Sequence, residues 1–342
     1  MSAGRDAGLI AFFLVLICTP VVRAICDAWD LHDSPGALKI HAGSIARLGG
    51  IAIAIGLVFG ITIEARPLAQ DFGLWLAAFG VIWLAGLVDD TRGLPPFVRL
   101  AAQIGSALLL WLSGLRLPLD FPLFLNFISI CMIVVLFVNA FNFLDGSDGL
   151  AAGVTAVIAG AYVFSFGENT TSLGFIVAWS LLGSCTGFLF FNFPPAKIFM
   201  GDSGSTLLGF CVAYMSMDFV TRTPARPSAT QWLFPVLVAA VPLVDGIVVV
   251  SRRLKRGTSP CQGDRCHFYD YLLMRGWTSR SVALGSYALT GLMCAAGLWT
   301  LQIGLKPVSV LLAVSAAGVG IVSFYRWSSS ANQERTDGAP VN

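Results

Sequence analysis

Charged residues are scarce in this chain: Asp, Glu, Lys and Arg make up 12% of its 342 residues, against about 25% in soluble domains. Hydrophobic residues make up 56%. A soluble globular protein is therefore excluded, and the composition predicts a membrane protein that crosses the bilayer several times. We expect the membrane as its environment and no nucleic acid as a partner.

The sequence also lacks a disulfide framework, a common zinc motif and an internal repeat. Its eight cysteines are scattered, mostly within apolar runs, which is typical of small buried side chains. Cys261, Cys266 and His267 follow the pattern C-x4-C-H, which fits no common structural zinc site. The first apolar run lacks a clear small-x-small cleavage site and is too long for the core of a signal peptide, so we expect a spanning helix there.

Eleven apolar runs approach the roughly 20 residues that a spanning helix needs, although several are short. They are residues 7–26, 48–63, 72–88, 98–115, 119–138, 150–166, 173–190, 205–219, 233–250, 282–301 and 308–325. The predicted fold is an all-α, polytopic membrane bundle of about 11 transmembrane helices, formed by a single domain over residues 1–326. Residues 327–342 form a polar tail that we expect to be disordered.

Lys and Arg residues are unequally divided between the two sets of loops that eleven spans would create. One set holds fifteen of the 21. Cytoplasmic loops carry the excess of positive charge, so this set is predicted to be cytoplasmic, with the N-terminus outside and the C-terminus inside. The polar clusters fall in the same loops, at residues 32–50, 87–93, 139–149, 193–205 and 251–272. Two independent patterns thus predict one polar site at the cytoplasmic face.

Four of these polar residues, Asn139, Asn142, Asp145 and Asp148, recur at every third position of the stretch 139–153. In a helix their side chains would lie along one face, whereas the glycine after each acid would instead allow a tight bend. Ionisable groups are costly at the mouth of an apolar bundle and indicate function. We interpret this stretch as the floor of a metal and phosphate site.

Two further acidic clusters lie on the same predicted face. Asp89 and Asp90 end the third apolar run, and Asp202 precedes the eighth. Such carboxylates suit Mg2+ or Mn2+, which share their coordination with phosphates. Basic residues flank them, namely Lys39, His41, Arg47, Arg99, Lys197, Arg265 and His267. Acids for a metal and bases for phosphate oxygens predict phosphoryl transfer, and the apolar bundle implies a lipid-borne reactant.

Six motifs, in this order along the chain, resemble those of a known family. They are D-x-P-x3-K-x-H from Asp33 to His41, followed by R-L-G-G; Asp89 and Asp90 with Arg99 and Gln103; N-x2-N-x2-D-G-x-D-G from Asn139; F-x-G-D-S-G-S from Phe199; P-x2-D from Pro242; and Asp264-Arg265-x-His267. The chain resembles the polyprenyl-phosphate N-acetylhexosamine-1-phosphate transferases of glycosyltransferase family 4, in particular the branch that primes O-antigen or common-antigen chains. The resemblance covers roughly four fifths of the chain.

The resemblance implies a reaction and its partners. A UDP-sugar, expected to carry an N-acetylhexosamine or a deoxy derivative, would give its sugar-1-phosphate to undecaprenyl or another polyprenyl phosphate. UMP would be released, and the polyprenyl-diphospho-sugar would start a cell-surface glycan. The cofactor would be Mg2+, with Mn2+ as the alternative. The enzyme would lie in the bacterial inner (plasma) membrane with its site facing the cytoplasm, and a homodimer is a further expectation.

The resemblance also assigns roles to residues. Asp89, Asp90, Asp145 and His267 are expected to be catalytic, and Asp202 and Asp145 to bind the metal. The expected substrate-binding residues are Lys39, His41, Arg99, Asn139, Asn142, Asp148, Lys197, Asp264 and Arg265. Two departures from the family pattern bear on these roles. Arg99 stands where the family usually has Lys, which keeps the charge. The residues His-Phe-Tyr-Asp at 267–270 replace a run of histidines, so the donor sugar stays open.

Two other classes of membrane protein share some of these features. A transporter also places ionisable residues inside a bundle, but its acids should line a midplane path between inverted halves. CDP-alcohol phosphotransferases are Mg2+-dependent membrane enzymes, but their D-G-x2-A-R and G-x3-D-x3-D patterns are absent. For the transferase itself, direct attack by the lipid phosphate and a covalent phospho-aspartate on Asp89 or Asp90 both stay open, and we favour direct attack.

Overall fold

The computed structural model describes residues 2–33, 44–65, 69–167, 172–222, 228–259 and 266–303. Within these ranges the helices are α1 (Ser2–Ala28), α2 (Gly50–Ala65), α3 (Ala69–Arg92), α4 (Pro96–Leu112), α5 (Leu123–Leu144), α6 (Leu150–Phe166), α7 (Leu173–Asn192), α8 (Gly201–Arg222), α9 (Ser228–Val238), α10 (Ala240–Lys255), α11 (Phe268–Met274) and α12 (Ser279–Ile303). Between α1 and α2, β1 (His32–Asp33) and β2 (Ile45–Ala46) form a short antiparallel pair. The predicted all-α class is confirmed, with this pair as a small addition.

Five of the described helices are long and apolar enough to span a membrane, namely α1, α3, α5, α7 and α12. A sixth span results if α9 and α10 are one bent segment, and α2, α4 and α6 are apolar but shorter. The protein is therefore a multi-pass membrane protein. The number of about 11 spans, their orientation and the domain boundary at residue 326 stay predictions, and the last predicted span lies outside the described residues.

The run predicted as one span at 233–250 is broken between α9 and α10, which meet at 75°. Pro242 accounts for the break. It has no N–H to donate to the carbonyl of Val238, and its ring would clash with that carbonyl in a continuous helix. After the bend, α10 packs against α5, which places α10 beside the helix that carries Asn139 and Asn142.

The central helix is α8, which contacts α2, α3, α5, α6, α7 and α9. From Ser203 to Val220 every residue except Thr206 is buried, as expected for a helix that other helices surround. Edge helices keep an apolar face exposed, as at Leu9 and Phe13 of α1, and such a face suits acyl chains. The first turn of α8 is therefore held in place by several neighbouring helices.

Small residues bring α7 against α1. A Cβ atom at Gly183 would overlap the backbone carbonyl oxygen of Gly8, so even alanine would push the two helices apart. We expect Gly183→Ala to lower the free energy of unfolding by about 1–3 kcal/mol, measured as a lower melting temperature in detergent. Gly160→Ala in α6 is the matched control, because nothing lies within 4 Å of its Cβ position. An equal loss in both variants would contradict the packing argument.

Candidate functional site

Polar residues from several helices meet at one end of the bundle. Asp90 at the end of α3 contacts the start of α8, although it lies 112 positions from Asp202 in the sequence. Asn142 near the end of α5 contacts Asp202. Arg99 in the first turns of α4 contacts Asp89. The structure thus brings together acids, an amide and a base that the sequence distributes over three predicted loops.

Asp202 lies in the first turn of α8 and keeps 29% of its side chain exposed. Its Oδ1 accepts a hydrogen bond from Asn142 Nδ2 at 2.7 Å, and the same nitrogen donates to Ser205 Oγ at 3.0 Å. Nη2 of Arg47 lies 3.9 Å from Asp202 Oδ2. The carboxylate of Asp202 is therefore held by neighbours and still reaches solvent.

Asp145 caps the carboxyl end of α5. Among the described residues its side chain has no hydrogen-bond donor and no ion pair, while the negative charges of Asp202 and Asp90 act on it. Burial raises the pKa of the Asp145 carboxyl, and these two neighbouring charges raise that pKa further, while the positive charge of Arg47 opposes only part of the rise. An unpaired acid beside other acids is stabilised in its ionised form by a divalent cation.

Within the described ranges, no group of three or more His, Cys, Asp or Glu side chains forms a ready metal cage. Mg2+ does not require one, because it binds through one or two carboxylates and completes its shell with waters and substrate phosphates. Asp202 and the unpaired Asp145 provide a donor set of that kind. The residues present therefore fit the predicted metal, although its binding stays a prediction.

The adjacent acids Asp89 and Asp90 are turned towards different neighbours. Asp89 Oδ1 accepts a hydrogen bond from the backbone N–H of Leu94 at 2.6 Å, and its Oδ2 lies 3.2 Å from Nη1 of Arg99. Asp89 also lines a small cavity. The carboxylate of Asp90 instead accepts hydrogen bonds from the first backbone N–H groups of α8. The catalytic roles expected for both residues stay predictions.

A cavity of about 640 Å³ lies between α4, α5 and α10. Its walls are mostly apolar and include Phe97, Leu100, Val135, Leu136, Ile247 and Val250. Four polar residues line both this cavity and the small cavity at Asp89, namely Arg99, Gln103, Asn139 and Asn142. Nδ2 of Asn139 donates to Oε1 of Gln103 at 2.9 Å. The larger, mostly apolar cavity and the small cavity that Asp89 lines therefore adjoin one another at these polar residues.

His267 is the N-cap of the short helix α11 and is held by an acid from α10. Its ring Nδ1 lies 2.7 Å from Asp245 Oδ2, and the backbone N–H of Phe268 donates to Asp245 Oδ1 at 3.2 Å. The ring stacks on Tyr269 at a centroid distance of 5.1 Å. A carboxylate at Nδ1 favours the tautomer with its proton on that nitrogen and sets the orientation of the ring.

Tyr269 connects α11 to the acidic turn that follows α5. Its hydroxyl donates to the carbonyl oxygen of Phe143 at 3.1 Å, and a Cβ atom at Gly146 would overlap that hydroxyl. Glycine is needed at 146 because the tyrosine approaches so closely. Since α5 ends at Leu144, the predicted helical face includes Asn139 and Asn142 but not the two acids, which lie in the turn.

The remaining predicted site residues lie further out or outside the described residues. Asp148 Oδ2 accepts a hydrogen bond from the backbone N–H of Ala196 at 2.9 Å, so it connects the turn after α5 to the segment that precedes α8. Lys197 in that segment is exposed. The four substrate-binding predictions at Lys39, His41, Asp264 and Arg265 lie outside the described residues.

Four residues that received no individual role from the sequence contact this site. They are Arg47, Ser205, Asp245 and Tyr269. A signal for Arg47 and Asp245 was available, because Arg47 directly precedes the apolar run 48–63 and Asp245 is the one charged residue within the run 233–250. Ser205 and Tyr269 carry no comparable signal, since their importance comes only from what they touch.

These features define a multi-pass membrane protein with a polar site at one end of its helical bundle. The model of glycosyl transferase family 4 matches residues 72–220. A decaprenyl-phosphate N-acetylglucosaminephosphotransferase from Mycobacterium leprae is 30% identical over 321 residues, which cover 84% of this chain and 81% of the relative. The chain belongs to this family, the polyprenyl-phosphate N-acetylhexosamine-1-phosphate transferases, and the predicted resemblance is confirmed.

Two other relatives agree with this assignment. A probable undecaprenyl-phosphate N-acetylglucosaminyl 1-phosphate transferase from Bacillus subtilis is 29% identical over 297 residues, covering 83% of this chain and 81% of the relative. The undecaprenyl-phosphate alpha-N-acetylglucosaminyl 1-phosphate transferase of Escherichia coli K12 is 30% identical over 281 residues, covering 75% of this chain and 73% of the relative. These relatives do not favour the transporter alternative.

The raised pKa of Asp145 predicts a pH-dependent stability. Between the unfolded carboxyl value of about 3.9 and the raised folded value, the folded state binds a proton that the unfolded state has lost. The free energy of unfolding should therefore fall as the pH rises through this interval. In EDTA, Asp145→Asn should flatten that part of the profile of melting temperature against pH, whereas Asp120→Asn at an exposed acid should not. An unchanged profile for Asp145→Asn would refute the assignment.

Proposed function

We propose that this protein transfers a sugar-1-phosphate from a UDP-sugar to a polyprenyl phosphate, forming a polyprenyl-diphospho-sugar and UMP. The observation that carries the proposal is the shared lining of the two cavities. The apolar cavity suits a polyprenyl chain, and the polar residues where it adjoins the cavity at Asp89 suit phosphates. A lipid-borne acceptor and a water-soluble donor would meet there.

The names of the relatives support the choice of substrates. Those from M. leprae, B. subtilis and E. coli carry names in which N-acetylglucosamine phosphate is transferred and decaprenyl or undecaprenyl phosphate is the lipid. We therefore propose UDP-N-acetylglucosamine as the first donor to test, with deoxy derivatives next because of the changed residues at 267–270. The proposed location is the bacterial inner membrane with the site facing the cytoplasm, and a homodimer stays a proposal.

Arg99 is the proposed ligand of the lipid phosphate. It lines both cavities, and its guanidinium lies 3.2 Å from Asp89. A guanidinium grips a phosphate with two parallel hydrogen bonds, so Arg99 would hold the phosphate while the polyprenyl chain occupies the apolar cavity. Asn139 and Gln103 would supply further polar contacts at the same place.

Asp202 and Asp145 are the proposed ligands of Mg2+, with Mn2+ as the alternative. Asn142 would steady Asp202 through the 2.7 Å hydrogen bond. When bound, such a cation neutralises diphosphate charge and makes UMP a better leaving group. Asp148 and Lys197 are proposed to bind the donor. They lie near each other, because Asp148 accepts a hydrogen bond from the backbone N–H of Ala196, the residue before Lys197.

The acceptor needs no general base at neutral pH. The second pKa of a phosphate monoester is about 6, so the lipid phosphate is mostly a dianion and already nucleophilic. One of its oxygens would form a bond to the β-phosphorus of the donor in line with the leaving group. The bond between that phosphorus and the bridging oxygen would break, and its electron pair would leave with UMP. His267, oriented by Asp245, is proposed to contact the diphosphate or the sugar.

A reconstituted assay tests the reaction. Full-length protein in detergent receives undecaprenyl phosphate, Mg2+ and a panel of UDP-N-acetylhexosamines, and UMP release is measured together with lipid-linked sugar. We expect turnover with one donor and its loss in Asp202→Ala, whereas Asp120→Ala, an exposed acid, should keep full activity. Folded protein that turns over no donor would refute the proposal.

The same preparation distinguishes the two mechanisms. Labelled UMP is incubated with the UDP-sugar in the absence of lipid. Direct attack predicts no exchange of label in active enzyme, because no intermediate forms without the acceptor. Exchange would instead reveal a covalent phospho-aspartate.

Because Asp245 contacts the ring of His267, we expect a substitution of Asp245 to lower the reaction rate while the protein stays folded. Asp245→Asn should lower kcat about 10-fold or more, because the ring loses the partner that fixes its tautomer and orientation. Asp270→Asn is the matched control, since Asp270 accepts a hydrogen bond from the backbone N–H of His267 at 3.0 Å, whereas Asp245 contacts the ring nitrogen. Equal losses in both variants would mean that Asp245 acts only by placing α11.

A further inference from the structure

The paired acids at the end of α3 form contacts of different kinds. Successive residues of an α-helix are rotated by about 100°, so Asp89 and Asp90 face different neighbours. Asp89 lines the small cavity together with Arg99 and Asn142. Asp90 faces the start of α8, and its side chain exposes no surface.

The carboxylate of Asp90 is occupied by protein donors. Its Oδ1 accepts hydrogen bonds from the backbone N–H of Asp202 at 2.7 Å and from Nε of Arg47 at 3.1 Å. Its Oδ2 accepts from the backbone N–H of Ser203 at 2.9 Å. Nη2 of Arg47 also lies 2.9 Å from Oδ1. A fully buried acid with these partners has no open side towards a metal ion or a phosphate.

The contact has the geometry of a helix cap supplied by another helix. The first N–H groups of a helix lack partners within it, and a carboxylate satisfies them well because the amino end carries partial positive charge. Gly201 makes room for the cap: its φ is +71°, and a Cβ there would lie 2.6 Å from the Asp90 oxygens. Asp90 therefore sets where the first turn of α8 begins.

Arg47 is placed by a backbone ladder between its own segment and the residues before α8. The N–H of Phe199 donates to the carbonyl of Ala46, and the N–H of Gly49 donates back to Phe199, both at 2.8 Å. The N–H of Gly50 donates to the carbonyl of Met200, also at 2.8 Å. The ladder holds Arg47 between Asp90 and Asp202, and Arg47 supplies the positive charge that the buried Asp90 requires.

We propose that Asp90 and Arg47 are positioning residues that aim Asp202, and that Asp89 is the member of the acidic pair that touches the reactants. The proposal deepens the proposed function and rests on it for the role of Asp202. It assigns Asp90 no contact with metal, lipid phosphate or donor. Loss of Asp90 should therefore act through the start of α8, whereas loss of Asp89 should act on the reaction itself.

The test compares Asp90→Asn with Asp89→Asn, the same substitution one residue away, in the full chain in detergent. Asparagine keeps one acceptor oxygen but places a donor where a carboxylate oxygen accepted a hydrogen bond. Amide hydrogen exchange of peptides covering residues 199–206 is measured without Mg2+ or substrate. We expect faster exchange at Asp202 and Ser203 in Asp90→Asn and a melting temperature lower by at least about 2 °C. Asp89→Asn should leave the exchange at Asp202 and Ser203 unchanged, because Asp89 accepts from Leu94 and contacts Arg99, not the first N–H groups of α8.

Turnover separates positioning from a purely structural role. In Asp90→Asn the Mg2+ concentration for half-maximal rate should rise about 10- to 100-fold, and saturating Mg2+ should restore most of kcat. In Asp89→Asn kcat should fall about 100-fold or more, with no recovery at high Mg2+. An Asp90→Asn protein with normal exchange at α8 and a rate loss that Mg2+ does not restore would overturn the proposal.

Arg47→Gln keeps the test decisive if Asp90→Asn does not fold. It leaves the carboxylate of Asp90 on the N–H groups of α8, and it should raise the Mg2+ midpoint in the same direction. A wild-type midpoint in Arg47→Gln would refute the role of Arg47. If the wild-type protein turns over no UDP-sugar, the proposed function fails, while hydrogen exchange in these variants still decides whether Asp90 caps α8.

Discussion

The burial of charge at one end of an apolar bundle is the constraint on which the rest of this structure depends. A carboxylate removed from water is stable only when donors or opposite charges surround it. Asp90 meets this requirement through two backbone N–H groups of α8 and through Arg47. The contact that satisfies this buried acid therefore also sets the position of the first turn of α8, the central helix of the bundle.

The same requirement explains why motifs far apart in the chain behave as one unit. The R-L-G-G segment and the F-x-G-D-S-G-S segment share backbone hydrogen bonds, and Asp90 of α3 caps the start of α8 while it contacts Arg47 of the first segment. Asn142 then reaches Asp202 from α5. Asp145 differs from these residues, since no described donor or cation contacts its side chain directly and only the more distant charge of Arg47 opposes those of Asp202 and Asp90. This excess of negative charge is what makes the pair Asp202 and Asp145 suited to a divalent cation.

The break between α9 and α10 has a consequence at the site. With Pro242 interrupting the helix, α10 turns and packs on α5, where Gly246, Ile247 and Val250 complete the wall of the apolar cavity. Asp245 lies on the same helix and holds His267. One interruption in the backbone therefore serves both the wall that suits a polyprenyl chain and the histidine proposed to contact the donor.

Residue type and order alone determined the membrane environment, the helical class, the family and the set of acids and amides, because hydrophobicity and chemical function are properties of the residues themselves. Tertiary structure decided the rest. Two adjacent aspartates are equivalent in a sequence pattern, and only the position of α8 distinguishes a capping acid from one that lines a cavity. Likewise, the pairing of Asp245 with His267 and the isolation of Asp145 depend on which helices meet, and the distances between them are not encoded in any local spacing.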